Sequence, residues 1–500
     1  MTLTAETREM KQATQFDQVN EWEFREGREF AVIDHLEGFE PFFLSVATVT
    51  NQWLFCSSNG SLSAGRENPE KALFPYLTVD KILGNWNGTG PFTAIECDGE
   101  IWHPFWPTSI HTAPVRRRLL KSFLGDELIF EEWHEALKIR FSYQWQLSGR
   151  FGFVRKVRVT SEGDDTRNFR IVDGLQDLQV SGVSQRLHLD LSCLADAYKM
   201  TEVCCEGHLM IHRLASGIVD APIPLESLKA TTVWTSGFSD AHPFLSHRDA
   251  EQFLKTGAIA GKGLAGKGLK SRGERGAFFL GSDLQLAAGE SREWMMVAEI
   301  EQSHREVGNL IKSLRDEETL LAEVENDLEE GRKRLREMAE SVDGFQESAD
   351  RDSSHYHYHN TLCNLLRGGL PENGSVLSRA QFQHFLRQNN SSLISNTTSG
   401  FPPYPMRSSA TGSSRAPTNR GIRISFASRR NTCLLFWGVV TAIRAARGTS
   451  SIYVFTMTMV VRCTTMKETG GTFSRIGKPS PGVIRSFWMV LFRDFSMPLR

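Results

Sequence analysis

The sequence predicts a mainly β domain followed by α-helices, and three observations carry that expectation. Apolar and polar residues alternate through much of the stretch from Phe30 to Ile300. From Ser303 the apolar residues recur instead at three, four or seven. After residue 390 no period is sustained.

In the β region, Leu137, Ile139, Phe141, Tyr143, Trp145 and Leu147 alternate with Lys138, Arg140, Ser142, Gln144 and Gln146. That spacing puts six apolar side chains on one face of a strand. Arg155–Thr160 and Asn168–Val172 are two more such runs, separated by the turn-rich Ser161–Arg167. Leu187, Leu189 and Leu191 alternate as well. Turn signals recur at Ser58-Asn59-Gly60, Asn85–Gly90, Gly163-Asp164-Asp165 and Asp173-Gly174. Many strands and few helices over ~250 residues predict a large antiparallel sandwich.

In the helical region, Val307, Leu310, Ile311, Leu314, Leu321, Val324, Leu328, Leu335, Met338 and Val342 mark an apolar stripe. It describes one long amphipathic helix, or two broken near Gly331. Asp316-Glu317-Glu318, Glu329-Glu330 and Arg332–Arg334 form its solvated face. Asn360–Arg367 is a second helical stretch, with Gly368-Gly369 as its C-cap, and Arg379–Arg387 is a third.

The totals describe a soluble chain of 500 residues, 40% apolar and 23% charged. The net charge of −2 hides an asymmetry. Beyond residue 390 stand two acids, Glu468 and Asp494, against 15 Lys and Arg, which leaves 57 acids and 42 bases before it. Met1–Trp22 has no apolar core for export. No apolar run reaches the roughly 20 residues of a spanning helix, Cys433–Ala446 coming nearest. A cytoplasmic protein is expected, and the sequons at Asn59 and Asn87 are then chance matches. Eight cysteines without regular spacing define no disulfide framework, and Cys204-Cys205 reads as two reduced thiols.

Several motifs invite chemistry. His355, His357 and His359 form H-Y-H-Y-H, whose rings would share a face in a strand and spread around the axis in a helix. No zinc-type Cys or carboxylate pattern accompanies them, so an ordinary helical histidine is preferred over a metal ligand. Gly261–Gly268 resembles a phosphate-binding loop up to Lys267, but Gly268 stands where a Ser or Thr would hold magnesium; a flexible surface loop is preferred. The basic tail lacks a nucleic-acid-binding module. Trp53, Trp86, Trp102 and Trp106 could stack on sugar rings, although tryptophans in β domains are more often core. Acid/base carboxylate pairs are not identifiable from spacing. The residues alone therefore assign no catalytic, cofactor-binding or metal-ligating position.

A set of stretches nevertheless occurs in a familiar order. They are Ser58–Arg66, Ala72–Thr78, Lys121–Glu132, Arg150–Arg155, Val172–Gln176, Ala230–Trp234, and His359-Asn360 leading to Leu366–Gly369. Together they resemble the amino-terminal part of large bacterial proteins similar to cellobiose-phosphorylase-type glycoside phosphorylases. The resemblance covers about residues 25–390. It implies an N-terminal extension (1–28), a galactose-mutarotase-like β-supersandwich (29–302), a helical linker (303–345) and the opening helices of a truncated (α/α)6 barrel (346–390). It makes carbohydrate an expected ligand and inorganic phosphate a ligand of the full-length protein, with homodimerisation through the sandwich. No cofactor, nucleic acid or membrane partner is expected. Catalytic residues in that family belong mainly to the barrel, so none is carried over and the chain is expected to be inactive as given. The alternative is a non-catalytic carbohydrate-binding or dimerisation module.

Residues 391–500 read as out-of-frame translation. Joining the third base of each codon to the first two of the next forces glutamate at Met466/Lys467 and aspartate at Met457/Thr458. The same shift forces aspartate at Trp488/Met489 and glycine at Met459/Val460 and Met489/Val490. Neighbouring codons permit acidic, tryptophan-rich strings. A one-base change shortly after Gln388 would explain the Ser/Thr/Arg bias and the scarcity of acids, and a tail without a defined fold is expected.

Overall fold

Alternation in the sequence becomes strand, and neighbouring strands pair almost without exception as antiparallel ladders. A computed structural model of the chain describes residues 19–85, 88–107, 114–218, 226–238, 241–259 and 269–366. Trp86, Asn87, Gly261–Gly268, Gly368-Gly369, Arg379–Arg387 and the tail 391–500 lie outside the described residues.

The first strands are β1 (Val19–Arg25), β2 (Arg28–Ile33), β3 (Phe43–Ser45), β4 (Gln52–Ser57), β5 (Leu62–Arg66), β6 (Ala72–Phe74) and β7 (Gly90–Cys97). Then come β8 (Glu100–Trp102), β9 (Val115–Ser122), β10 (Glu127–His134), β11 (Ile139–Ser148), β12 (Gly152–Ser161) and β13 (Arg167–Leu178). The last are β14 (Lys199–Cys204), β15 (Leu209–Leu214), β16 (Lys229–Ser236), β17 (His242–Phe244), β18 (Lys270–Arg272), β19 (Gly276–Leu286) and β20 (Ser291–Ser303). The α-helices among the described residues are α1 (Val79–Gly84), α2 (Gln185–Asp190), α3 (Ser192–Ala197), α4 (His247–Thr256), α5 (His304–Ser313), α6 (Glu317–Glu340) and α7 (Arg351–Leu366).

An 11-stranded sheet runs β1-β2-β9-β10-β11-β12-β20-β16-β15-β14-β18. A five-stranded sheet runs β17-β19-β13-β7-β8, and a four-stranded one runs β3-β4-β5-β6. The large and the five-stranded sheets face each other across one core. Phe130, Phe141, Trp145, Phe153 and Trp294 come from the first, Ile95, Ile171, Leu175 and Phe278 from the second. The four-stranded sheet adds Leu54, Leu62 and Phe74 to the same cluster.

Helices pack on part of both outer faces. Val154, Trp234, Met295 and Val297, the outward residues of β12, β16 and β20, pack under Leu320, Val324 and Leu328 of α6. Ala250 and Phe253 of α4 cover Val172, Ala94 and Phe279 on the five-stranded sheet. Ser303 opens α5 with a capping box, its hydroxyl accepting from the Glu306 N–H while the Glu306 carboxylate accepts from the Ser303 N–H. At its other end α6 packs Leu335 and Ala339 against Tyr358 and Leu362 of α7.

Four sequence expectations change. Residues 19–25, read as part of an extension, form β1 and pair with β2 at the edge of the large sheet. Leu187, Leu189 and Leu191 are not a strand. Ser184 caps α2 by accepting from the Leu187 N–H, and an Arg186–Asp190 ion pair spans the helix while Leu189 and Leu191 stay exposed. Asp173-Gly174 is not a turn but the middle of β13, where a Cβ on Gly174 would come within 2.8 Å of the Phe279 ring. The linker does not break at Gly331, which lies inside α6; it breaks at Asp316, whose carboxylate caps the new helix by accepting from the Thr319 N–H. A mid-helix glycine costs only ~1 kcal/mol against alanine, too little to outweigh the packed stripe.

At the centre of the core lies a buried ion pair. Arg155 on β12 donates two bonds of 2.8 Å to Asp173 on β13, and both side chains are fully buried. Asp173 also accepts from Thr93 Oγ1 at 2.6 Å and from the Trp294 indole at 2.7 Å, while the Tyr143 ring lies 5.0 Å from the guanidinium. Removing one partner leaves an uncompensated buried charge. Arg155→Met is therefore expected to lower unfolding stability by ~3–5 kcal/mol, and adding Asp173→Asn to restore part of that loss. Urea denaturation of the two variants checks this, and a loss no larger than that of an exposed ion pair would refute it.

Candidate functional site

The tryptophans flagged for stacking divide by face. Trp102 ends β8 pointing inward and is fully buried. Its indole donates to Glu132 Oε1 at 2.8 Å, and Glu132 Oε2 accepts from Arg117 Nε and the Phe105 N–H. That is a core hydrogen-bond network. Trp106 stacks on His103 with centroids 4.1 Å apart. Trp53 is half-buried on the outward face of β4, where Leu54 and Cys56 point inward. Its ring crosses Gly65, where a Cβ would lie 2.6 Å from Trp53 Cζ2. It meets the exposed Tyr76 edge-on at 5.3 Å and Phe55 at 5.6 Å. Trp53 and Tyr76 thus form a surface aromatic corner that a ligand could reach. Asn59 is buried and accepts from the Ser61 N–H, so that sequon is closed to modification in the fold.

The linker helix closes a small polar cleft against the large sheet. Ala47, Thr48, Gln146, Leu147, Leu328 and Gly331 line it, with Arg332 of α6 reaching in. Arg332 bonds Asp126 Oδ2 at 2.8 Å and Glu127 Oε2 at 3.0 Å. Glu127 also accepts from Arg28 at 2.6 Å and from the Gln146 amide at 3.2 Å. Burial raises the Glu127 pKa, the two arginines opposing that rise. All three bonds converge on Oε2 and fasten helix to sheet.

The histidine triplet falls inside α7. His357 Nε2 lies 2.9 Å from the Asp343 carbonyl oxygen and donates to it. His355 and His359, one turn apart, bring their Nε2 atoms to 2.7 Å. Burial pushes His355 down to about 4 and His359 well below its ordinary range, Lys121 adding to both shifts. Among the described residues no group of three His, Cys, Asp or Glu side chains is gathered for a metal. Cys204 and Cys205 are free, half-buried thiols with Sγ atoms 3.9 Å apart, and burial raises Cys204 to about 12. Such a thiol is inert at neutral pH. No helix among the described residues is long and apolar enough to cross a membrane.

No protein-family profile and no curated protein matches the chain. Among solved structures, a bacterial glucoamylase complexed with acarbose matches with a TM-score of 0.33 at 10% identity, over 58% of this chain and 38% of that one. A protein described as a kojibiose phosphorylase from the human microbiome matches with a TM-score of 0.27 at 7% identity, over 55% and 27%. A GalM/aldose epimerase homologue from C. elegans gives 0.29 at 10%, over 53% and 100%. The chain spans well under half the length of the first two. At such scores these are likenesses only and fix neither a family nor an activity.

Asp177 is the acid whose environment most alters its chemistry. It sits in a bulge of β13 with φ at 58°, accepts from Thr89 Oγ1 at 3.0 Å, and is pushed up to about 6 by burial. The folded state therefore keeps a proton that the unfolded carboxyl, near 3.8, releases earlier. Stability falls as pH rises between those values, and the full cost stands above about 6. Asp177→Asn, which tolerates the positive φ, is expected to gain ~1–2 kcal/mol at neutral pH, after discount for its partial exposure, and nothing below the unfolded pKa. Denaturation curves at both pH values test the sign.

Proposed function

We propose that this chain is the amino-terminal part of a carbohydrate-active protein of the glycoside phosphorylase or hydrolase type. In this reading residues 29–302, with β1 added at the edge, are the β-supersandwich. Residues 303–345 are the linker, residues 346–390 open an (α/α)6 barrel, and residues 391–500 are out of frame. The observation that carries the reading is the order of elements. Large antiparallel sheets lead directly into α5 and α6, which lie on the outer face of the large sheet and deliver α7 beside its end. That is the order the sequence resemblance implies. The bonding of both oxygens of Glu132 also supports it, since that buried acid is not free for acid/base work.

The test is to resequence across codons 380–400 and restore the frame. A restored protein is expected to cleave a glycoside in a phosphate- or water-dependent reaction, while the present chain does not. If the present frame stands, or the restored protein turns over no glycoside, the reading fails.

The second reading, a carbohydrate-binding module, is favoured by the Trp53–Tyr76 corner. Flat apolar ring faces with a polar edge suit sugar stacking. Trp53→Ala is then expected to abolish retardation in polysaccharide gels, with circular dichroism confirming that the variant still folds. Equal retardation of variant and parent would remove that site.

A further inference from the structure

Helix geometry sorts the three histidines of α7. Residues four apart share a face, whereas residues two apart diverge. His357 is spent on the Asp343 carbonyl. His355 and His359 instead turn the same ring atom, Nε2, toward one point, 2.7 Å apart. Aromatic walls hold both rings. Trp22 meets His355 edge-on at 5.0 Å and Phe123 lies 5.1 Å from it. Tyr358 meets His359 edge-on at 5.3 Å, and Gly125 leaves room for it, since a Cβ there would sit 3.1 Å from His359 Cε1.

We propose that His355 and His359 form a two-histidine chelate for a divalent transition ion of the zinc, nickel or copper class, with water in the remaining positions. Two nitrogens bound to one ion at ~2.0–2.1 Å stand about 3 Å apart, close to the spacing already built. The i, i+4 spacing is the one by which helical histidines share a metal. Without the ion, one Nε2–H donates to the other ring's lone pair. With it, the donor ring carries its proton on Nδ1 and both Nε2 lone pairs face the ion, so no proton need leave.

Lys121 opposes the ion. It is half-buried, its charge acts on both rings, and it makes no ion pair among the described residues. The absence of a third protein ligand acts in the same direction, so affinity is expected in the micromolar range and not that of a closed structural site. The chelate does not depend on the carbohydrate reading.

The test is calorimetric titration of the untagged full chain, stripped with chelator, using zinc or nickel chloride, with bound metal counted after dialysis. One ion per chain is expected. His355→Gln and His359→Gln are each expected to weaken binding at least about 10-fold. His357→Gln leaves it unchanged, and Lys121→Met tightens it. Circular dichroism confirms that each variant folds; if His359→Gln does not, His355→Gln decides. The proposal is overturned if the parent binds neither ion, if binding survives both variants, or if His357→Gln weakens it equally. It is also overturned if the parent binds inorganic phosphate instead and loses it in Lys121→Met.

Discussion

The fold is organised around the ion pair between Arg155 and Asp173. It bridges the two large sheets at a point where neither charge meets water. Such a pair tolerates little error, because its Coulomb attraction offsets desolvation only when the geometry is good and the remaining polar atoms are bonded. Thr93 from β7 and Trp294 from β20 bond the carboxylate and Tyr143 from β11 lies against the guanidinium, while Arg155 Nε stays buried without a hydrogen-bond partner. Five strands are thereby held in one relative position. The apolar residues around the pair, Ile171 and Leu175 beside Asp173 and Phe153 and Val157 beside Arg155, are the neighbours that alternation requires. Directional bonds reinforce the register that one-sided burial already sets.

Much of this was legible in the sequence where burial is one-sided. The alternation of β11 appears because its polar side meets a partly wet surface, so Arg140, Ser142 and Gln144 mark the phase. The capping box at Ser303 marks the exchange of sheet for helix just as directly. Legibility failed where a residue type has two uses. Asp-Gly is a turn signal by local chemistry, but at 173–174 tertiary contacts claim both residues, one for a charge pair and one for the close approach of Phe279. Three leucines two apart suggested a strand until a serine cap and a four-residue ion pair decided for helix.

The candidate sites were less legible, for a related reason. Chemistry depends on which side chains converge, and convergence depends on helix phase and on partners far along the chain. The triplet at 355–359 becomes one pair and one outlier only after the helix is known to start at Arg351. The walls around that pair, Trp22 and Phe123, lie more than two hundred residues upstream. Nothing in the local string announces them. Glu127 and Glu132 look like any acids in sequence, and only their arginine partners show that they are structural.

The outer face of the large sheet is finished in two different ways, and the boundary between them positions α7. Under α5 and α6 the strands present Val154, Trp234 and Val297, and burial holds the helices down. Toward β1 the face is ionic, with Glu131 bonded by Arg25 and lying near Arg118, and with three guanidiniums around Trp133. Charged side chains on an uncovered, nearly terminal part of a sheet also discourage pairing with another chain. At the junction α7 is held by both kinds of force. Tyr358 and Leu362 bury against α6, while Arg351 pairs with Glu29 and Asp352 accepts from the Trp22 indole at 3.1 Å. The first two strands of the domain therefore orient its last described helix. A change in β1 or β2 would be felt at α7 and at the histidine pair it carries, more than three hundred residues away in sequence.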